Sequence, residues 1–326
     1  MCGFLFDKLQ IITVNFHGYE TLRALLGNLS DADIRLLRVF RAVVECGGLS
    51  AAELELNIGR STISRHLKDL ELRLGMTLCH RGRGGFSLTP EGSQIYEAAQ
   101  RLIASIEDFR HQVNDVHRTL KGQLVIAMFD KTVSNEQCQL DNAIAQYLKT
   151  APDVQIDIHI LPVNAIEKGV MDGRYHIGII PTHRPSSSLE YLPLFGEQMY
   201  LYCGKGHPLF DQAETVSKDE VTSHRYAGMG FHSPNMEHGQ QLGLTKTAVA
   251  FDQEGVATLI KSGCYVGFLP DHYAAPFVSN GQFRRLRQPD LEYNCDFAAI
   301  YRKSPKPTRL VAQFIQALTD TALLAD

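Results

Sequence analysis

The chain has 326 residues, a net charge of −4 and a hydrophobic fraction of 44%, enough for two or three domains with filled cores. No run approaches the ~18 apolar residues of a membrane helix, and a pI near 6.4 argues against indiscriminate nucleic-acid binding. Seven scattered cysteines without a Cys-x-x-Cys pair point to a reducing cytoplasm and away from a zinc site or a disulfide scaffold.

The first 29 residues contain apolar patches, Phe4–Phe6 and Ile11–Phe16. They lack a basic n-region and a long apolar core, so a signal peptide is not expected. Residues 47–75 are the most informative stretch. Ser50 reads as the N-cap of a short helix over Ala51–Leu56. A turn at Asn57-Ile58-Gly59 follows, then a helix from about Arg60 to Leu74. Ile63, Leu67, Leu70 and Leu74 make a 4-3-4 buried stripe, and Gly75 sits where a helix C-terminal glycine belongs. Arg60, Ser61, Thr62, Ser64, Arg65 and Lys68 lie off the stripe. Short hydroxyl side chains permit close approach to base edges, and cations neutralise phosphates. With Ser50, these form the candidate DNA-facing set of a helix-turn-helix. A solvated helical hairpin has the same outline, so the flanking segments matter.

Residues 77–89 hold two short apolar runs around a Gly/Arg-rich turn, a pattern for a β-hairpin. With Arg81 and Arg83 near its tip, it reads as a wing whose arginines enter a narrow minor groove. Residues 31–90 hold nine Arg/Lys against seven Asp/Glu, so the basic bias is local. Thr89-Pro90 then opens a long helix. Ile95, Leu102, Phe109 and Val116 recur as one series. Ala99, Ile106, Val113 and Leu120 form its partner, an a/d seam of about four heptads. Such a seam predicts self-association, although a helix packed on its own domain shares the pattern. From Gly122, strands and helices alternate, beginning with Leu124–Met128, a helix near 140–149 and Val154–Leu161. That alternation argues an α/β sheet.

These residues together resemble a LysR-type transcriptional regulator. The likeness is carried by Gly47-Gly48, Ser64-Arg65, Leu70-Glu71-x-x-Leu74-Gly75, His80-Arg81 and Leu88-Thr89-Pro90-Glu91-Gly92. It continues through Ala151-Pro152-Asp153-Val154, Met171–Ile179, Tyr200–Cys203 and Gly263–Pro270, over residues 31–320. Three positions depart from the family pattern. Gly59 replaces a serine cap, Glu53 a small residue and Asp141 a proline.

The resemblance implies a multidomain fold: an N-terminal winged helix-turn-helix (30–89), a linker/dimerisation helix (90–121), and an α/β effector-binding domain (122–326). The last would be like a periplasmic binding protein, with subdomain I at 122–193 plus 305–326 and subdomain II at 194–304. Open α/β folds bind ligands at the carboxyl ends of strands. That rule selects Asp130, Lys131, Thr132 and Ser134 after the first strand, Thr182 and His183 after Ile177–Ile180, and Met229, Phe231 and Asp252 from the second subdomain. Lys131 and His183 suit an anionic group, whereas Asp130 suits an amine-bearing ligand. Gly206-His207-Pro208 reads as a structural turn. The implied partners are double-stranded DNA with a pseudo-palindromic operator, a small-molecule effector, a second copy (homodimer or homotetramer) and RNA polymerase; no cofactor, metal or membrane is expected. Two other classes fit the sequence less well. An enzyme lacks any catalytic or nucleotide fingerprint here. A redox switch would use Cys203, Cys264 or Cys295, whose spacing does not resemble that of peroxide-sensing relatives.

Overall fold

The computed structural model describes residues 27–82, 85–116 and 120–322. The apolar patches of the N-terminal extension and Arg83 lie outside the described residues. The described residues form two compact units, divided between Ala99 and Gln100.

In the N-terminal unit, α1 (Asp31–Glu45), α2 (Leu49–Leu56) and α3 (Arg60–Leu74) precede a hairpin of β1 (Cys79–Gly82) and β2 (Gly85–Leu88), and α4 (Pro90–Val116) begins. A capping box starts α1: the Asp33 N–H donates to Ser30 Oγ at 3.4 Å, and Asp33 Oδ2 accepts from the Ser30 N–H at 2.9 Å. Asp33 is itself buried and binds the Arg73 guanidinium of α3, with Nη2 donating to Oδ2 at 2.8 Å. Hydrogen bonds from Ser30, joined by Arg73, hold its carboxyl down at about 2. Leu36, Phe40 and Val43 of α1 and the expected stripe Ile63, Leu67, Leu70 and Leu74 of α3 are all buried. Each such burial contributes about 1.5–3 kcal/mol.

Helix α2 begins earlier than the sequence suggests. Gly47 (φ 74°) and Gly48 (φ 150°) turn the chain with backbone that favours glycine, and Gly48 is the N-cap. Ser50 therefore lies inside the first turn, exposed, and does not cap α2. Helix α3 has the expected ends, closing on Gly75 in the left-handed region (φ 68°). At the start of α4, Thr89 Oγ1 accepts from the Gly92 N–H at 2.8 Å. A Cβ on Gly92 would lie 1.8 Å from the Leu78 carbonyl oxygen, so only glycine fits this corner.

The seam is only partly as expected. Ala99 is buried, Ile95, Leu102 and Ile106 are half-buried, and Phe109 and Val113 are exposed at 66% and 42%. Val116 ends the helix, and its side chain falls outside the described set. Leu120 is a correction: it is not helical and packs, half-buried, against the core of the C-terminal unit. The heptad phase runs on in the sequence after the backbone has left the helix.

The C-terminal unit continues with β3 (Gly122–Met128), a 3-10 turn (Thr132–Ser134), α5 (Leu140–Thr150), β4 (Val154–Ile160), α6 (Val163–Met171) and β5 (Ile177–Pro181). The long β6 (Leu189–Gly204) leads to α7 (Lys218–Thr222), β7 (Tyr226–Met229), α8 (Pro234–Gln241), β8 (Lys246–Ala250) and α9 (Gln253–Lys261). The chain closes with β9 (Val266–Pro270), α10 (Asp271–Ser279), β10 (Phe283–Arg285), β11 (Glu292–Arg302) and α11 (Arg309–Ala322). The sheet order is β4-β3-β5-β11-β6-β9-β7-β8, with β10 also on β6. Two parallel trios, β4-β3-β5 and β9-β7-β8, thus flank the antiparallel pair β6–β11. β11 meets β5 through Phe297–Ile300, and β6 meets β9 through Met199–Cys203, so these two strands cross from one trio to the other. Their register slips between Phe297 and Ala298. The C-terminal part of α4 is tied to this unit by Arg302 Nη2, which donates to Asp108 Oδ2 at 2.6 Å. Asp141, in place of a proline, sits in the first turn of α5, where a carboxylate complements the helix dipole.

Candidate DNA-reading face and effector cleft

On α3, Arg60, Ser61, Arg65 and Lys68 are exposed opposite the buried stripe, and Thr62 and Ser64 are half-buried. The helix begins at Gly59, which has no side chain to cap it. The cap comes from α2 instead: Glu53 Oε1 accepts the Arg60 N–H at 2.6 Å. The two departures from the family pattern therefore compensate each other.

The wing is bound to the same helix. Glu71 Oε1 accepts the Leu78 N–H at 2.9 Å, and Glu71 Oε2 pairs with the Arg81 guanidinium. Arg81 Nη1 also donates to the Ser64 carbonyl at 3.3 Å. Arg81 is thus occupied inside the unit, where the sequence reading has it entering a groove. Glu53 and Glu71 were missed as site residues because acidic side chains are not sought on a DNA-reading surface. The legible signal is their position: each lies seven residues before the backbone N–H it binds, on the far side of a turn.

In the C-terminal unit a cleft lies between the two parallel trios, enclosing about 300 Å³ of space, its open mouth included. Phe129, after β3, and Phe231, after β7, meet across it edge to face, ring centres 6.0 Å apart. Met229 and Phe231 line it as expected, with Met199, Phe297, Pro181 and Pro234. Its polar lining is Glu197 of β6, Ser233, Asn235, Gln253 and Tyr293 of β11.

The loop after β3 bridges the cleft. Asp130 Oδ2 accepts the Gln253 N–H at 2.9 Å. Burial, with Asp252 nearby, pushes its carboxyl up to about 6, against hydrogen bonds and Lys131, which lower it. Lys131 pairs with Glu254 and is no free anion receptor. Thr132 is buried, and Ser134 Oγ lies 2.8 Å from His272 Nδ1. The other nitrogen, His272 Nε2, is 3.1 Å from Glu197 Oε1. Burial raises the Glu197 carboxyl although His272 opposes the shift.

Two expected ligand residues are absorbed by local structure, and a third lies off the cleft lining. Thr182 Oγ1 donates to the Asp296 carbonyl at 3.0 Å. Asp252 caps α9, accepting the Gly255 N–H at 2.6 Å. His183 is not among the cleft-lining side chains; its Nε2 is 4.0 Å from Glu167 Oε1. The His207 turn is structural: the ring is buried, Nδ1 accepts from the Leu209 N–H at 3.2 Å, and desolvation brings its pKa to about 4. The described cysteines are free thiols. Burial pushes Cys203 up to about 12 and Cys295 well above the ordinary range, so both are poor nucleophiles.

Comparison with known proteins accords with this arrangement. Residues 34–93 match the family described as bacterial regulatory helix-turn-helix protein, lysR family, and residues 117–323 match the LysR substrate binding domain. The chain is 42% identical over 294 residues to the HTH-type transcriptional activator BauR of Pseudomonas aeruginosa, covering 90% of this chain and 96% of that protein. Among solved structures it is similar in fold to CbnR, a LysR family transcriptional regulator, with a TM-score of 0.60 at 19% identity over 89% of this chain and 99% of that one. A full-length OxyR variant from Pseudomonas aeruginosa gives a TM-score of 0.54 at 18% identity, covering 91% and 95%. The chain belongs to the LysR-type family of DNA-binding transcriptional regulators, which carry an effector-binding domain and are not enzymes.

Proposed function

We propose that α3 reads the major groove of a pseudo-palindromic operator through Arg60, Ser61, Thr62, Ser64, Arg65 and Lys68. The observation that carries this is the exposed cationic row of α3 directly opposite its buried stripe, with the helix start fixed by Glu53. Arg81 holds the wing in place through Glu71; Ser50, exposed in the first turn of α2, adds a backbone contact. Two copies associate through α4, where Phe109 and Val113 are left exposed for a partner. A pair of dimers then forms the working tetramer.

The effector-binding domain divides at the β6–β11 crossing into subdomains 122–193 plus 305–326 and 194–304. A small molecule in the cleft biases subdomain closure, and closure shifts the population between two dimer–dimer arrangements. Operator bending or contact with RNA polymerase changes as a result. The relative in Pseudomonas aeruginosa is named an activator, which supports activation as the output. Among the described residues no helix is long and apolar enough to cross a membrane, which agrees with a cytoplasmic site of action. Footprinting of the full-length protein on its own upstream intergenic DNA tests this reading. The expected result is an interrupted, two-fold protected region; uniform, salt-sensitive protection of unrelated DNA contradicts it.

A further inference from the structure

The cleft has an unbalanced chemistry. Among the described residues of the C-terminal unit, the buried carboxylates are Glu197, which lines the cleft, and Asp130, which borders it through the Gln253 N–H, at 6% and 9% exposure, and no lysine or arginine is buried there. The nearest cation to Asp130, Lys131, is committed to Glu254. A buried carboxylate normally has a cation or a full set of hydrogen bonds. Here the set is incomplete: Asp130 Oδ1 has no partner, nor has the Gln253 side-chain oxygen, which lines the cleft beside Glu197. Gln253 is 4% exposed. Two neighbours in the lining, Asn235 Nδ2 and the Tyr293 hydroxyl, are also unpartnered. Asn235 Oδ1 accepts from the Met229 N–H at 3.4 Å as well as from the Tyr226 hydroxyl at 2.9 Å, and the backbone donor sets its amide orientation, with the NH2 left to donate.

An ammonium group supplies three N–H donors and a positive charge. It meets both deficits at once, whereas an anion would meet the Glu197 carboxylate in the lining, with Asp130 on the adjoining Gln253 N–H, and a His272 ring whose two nitrogens are already engaged by Ser134 and Glu197. We propose that the effector of this cleft carries a primary ammonium group, with Glu197, Asp130 and the Gln253 side-chain oxygen as its acceptors. Asn235 and Tyr293 donate to an acceptor elsewhere on the same molecule. Phe129, Met199 and Phe231 cover its carbon chain. This rests on the reading of the cleft as the effector site.

The test uses three probes of matched carbon length, putrescine, γ-aminobutyrate and succinate, titrated into the full-length protein by calorimetry at concentrations up to roughly 10 mM. Hydrogen exchange with each probe locates any site. The expected result is binding by at least one of the two amines and not by succinate, with protection of residues 129–135 and of the start of α9. Glu197→Gln and Asp130→Asn, close in shape to the native residues, then each weaken binding by about tenfold or more. Protection in the cleft by succinate but by neither amine overturns the ammonium assignment and leaves the cleft reading intact. Amine binding with protection elsewhere overturns both. Cleft protection by an amine that both variants leave unchanged overturns the assignment to these acids, as does no binding by either amine.

Discussion

Glu53 on α2 accepts the backbone N–H of Arg60, the first residue of α3, at 2.6 Å. A carboxylate from one helix thereby does for the recognition helix what a serine at position 59 does elsewhere in the family. It satisfies an orphan N–H and places a negative charge at the positive end of the helix dipole. Glu53→Ala should cost about 1 kcal/mol of stability in the N-terminal unit and weaken operator binding. Gly59→Ser should restore both, because Gly59 has ordinary extended backbone (φ −66°, ψ 148°) and open space around a new Cβ. Chemical denaturation and operator titration of the two variants and the double variant check this; a double variant no better than Glu53→Ala refutes the compensation.

The Arg81–Glu71 pair is half-buried and shares Glu71 with two wing N–H groups. Arg81→Ala and Glu71→Ala should each lower stability by about 1–3 kcal/mol. In a double-mutant cycle their effects should be markedly non-additive. Additive losses would mean that Arg81 acts outside the domain, on DNA.

Phe109 is two-thirds exposed on α4 and Leu102 is half-buried. If α4 carries the proposed dimer, charging both positions, Leu102→Asp with Phe109→Asp, should give monomer in sedimentation at micromolar concentration where the native chain gives dimer. The single variant Phe109→Asp should keep the thermal stability of the effector-binding domain. A dimer that survives both changes refutes the seam.

Asp130 titrates at about 6 in the folded protein against an ordinary value of 3.8. A carboxylate with a raised folded pKa is protonated more readily when folded. Between these values the native state binds more protons than the unfolded state, so stability falls as pH rises. The full penalty, up to about 3 kcal/mol, is present above pH 6 and vanishes near pH 4. Lys131, Asp252, Glu254 and Tyr273 face this group and stay in both variants compared. Asp130→Asn should therefore raise Tm at pH 7 and flatten the Tm profile between pH 4 and 7. An equal pH profile in native protein and variant contradicts the assignment.

Legibility in the sequence followed the range of the interactions. Helix α3 could be read to its ends because a 4-3-4 stripe and a closing glycine are local signals. At the start of α2 the side chain of Ser50 favours a cap, but Gly47 and Gly48, both with positive φ, start the helix earlier. Leu120 kept the heptad phase although the described helix stops at Val116, since periodicity carries no signal for where the backbone departs. In the cleft, the rule of strand ends selects Met229 and Phe231, which line it, and Asp130, which binds the lining residue Gln253 through its backbone N–H. It also drew in Thr182 and Asp252, whose polar atoms are consumed by neighbouring backbone groups. Glu197 and Tyr293 were invisible to it. Glu197 lies mid-strand on β6 and Tyr293 at the start of β11, and the crossing of those strands between the two trios brings them to the cleft.

The central claim, that α3 docks on DNA through its exposed cations, is tested most directly by the salt dependence of operator affinity for the native protein and for Arg65→Ala. Weaker binding by the variant is expected at every salt concentration, with unchanged folding and a log–log slope shallower by about 1. Equal affinities and equal slopes would contradict it, since a residue that touches no phosphate releases no counterion.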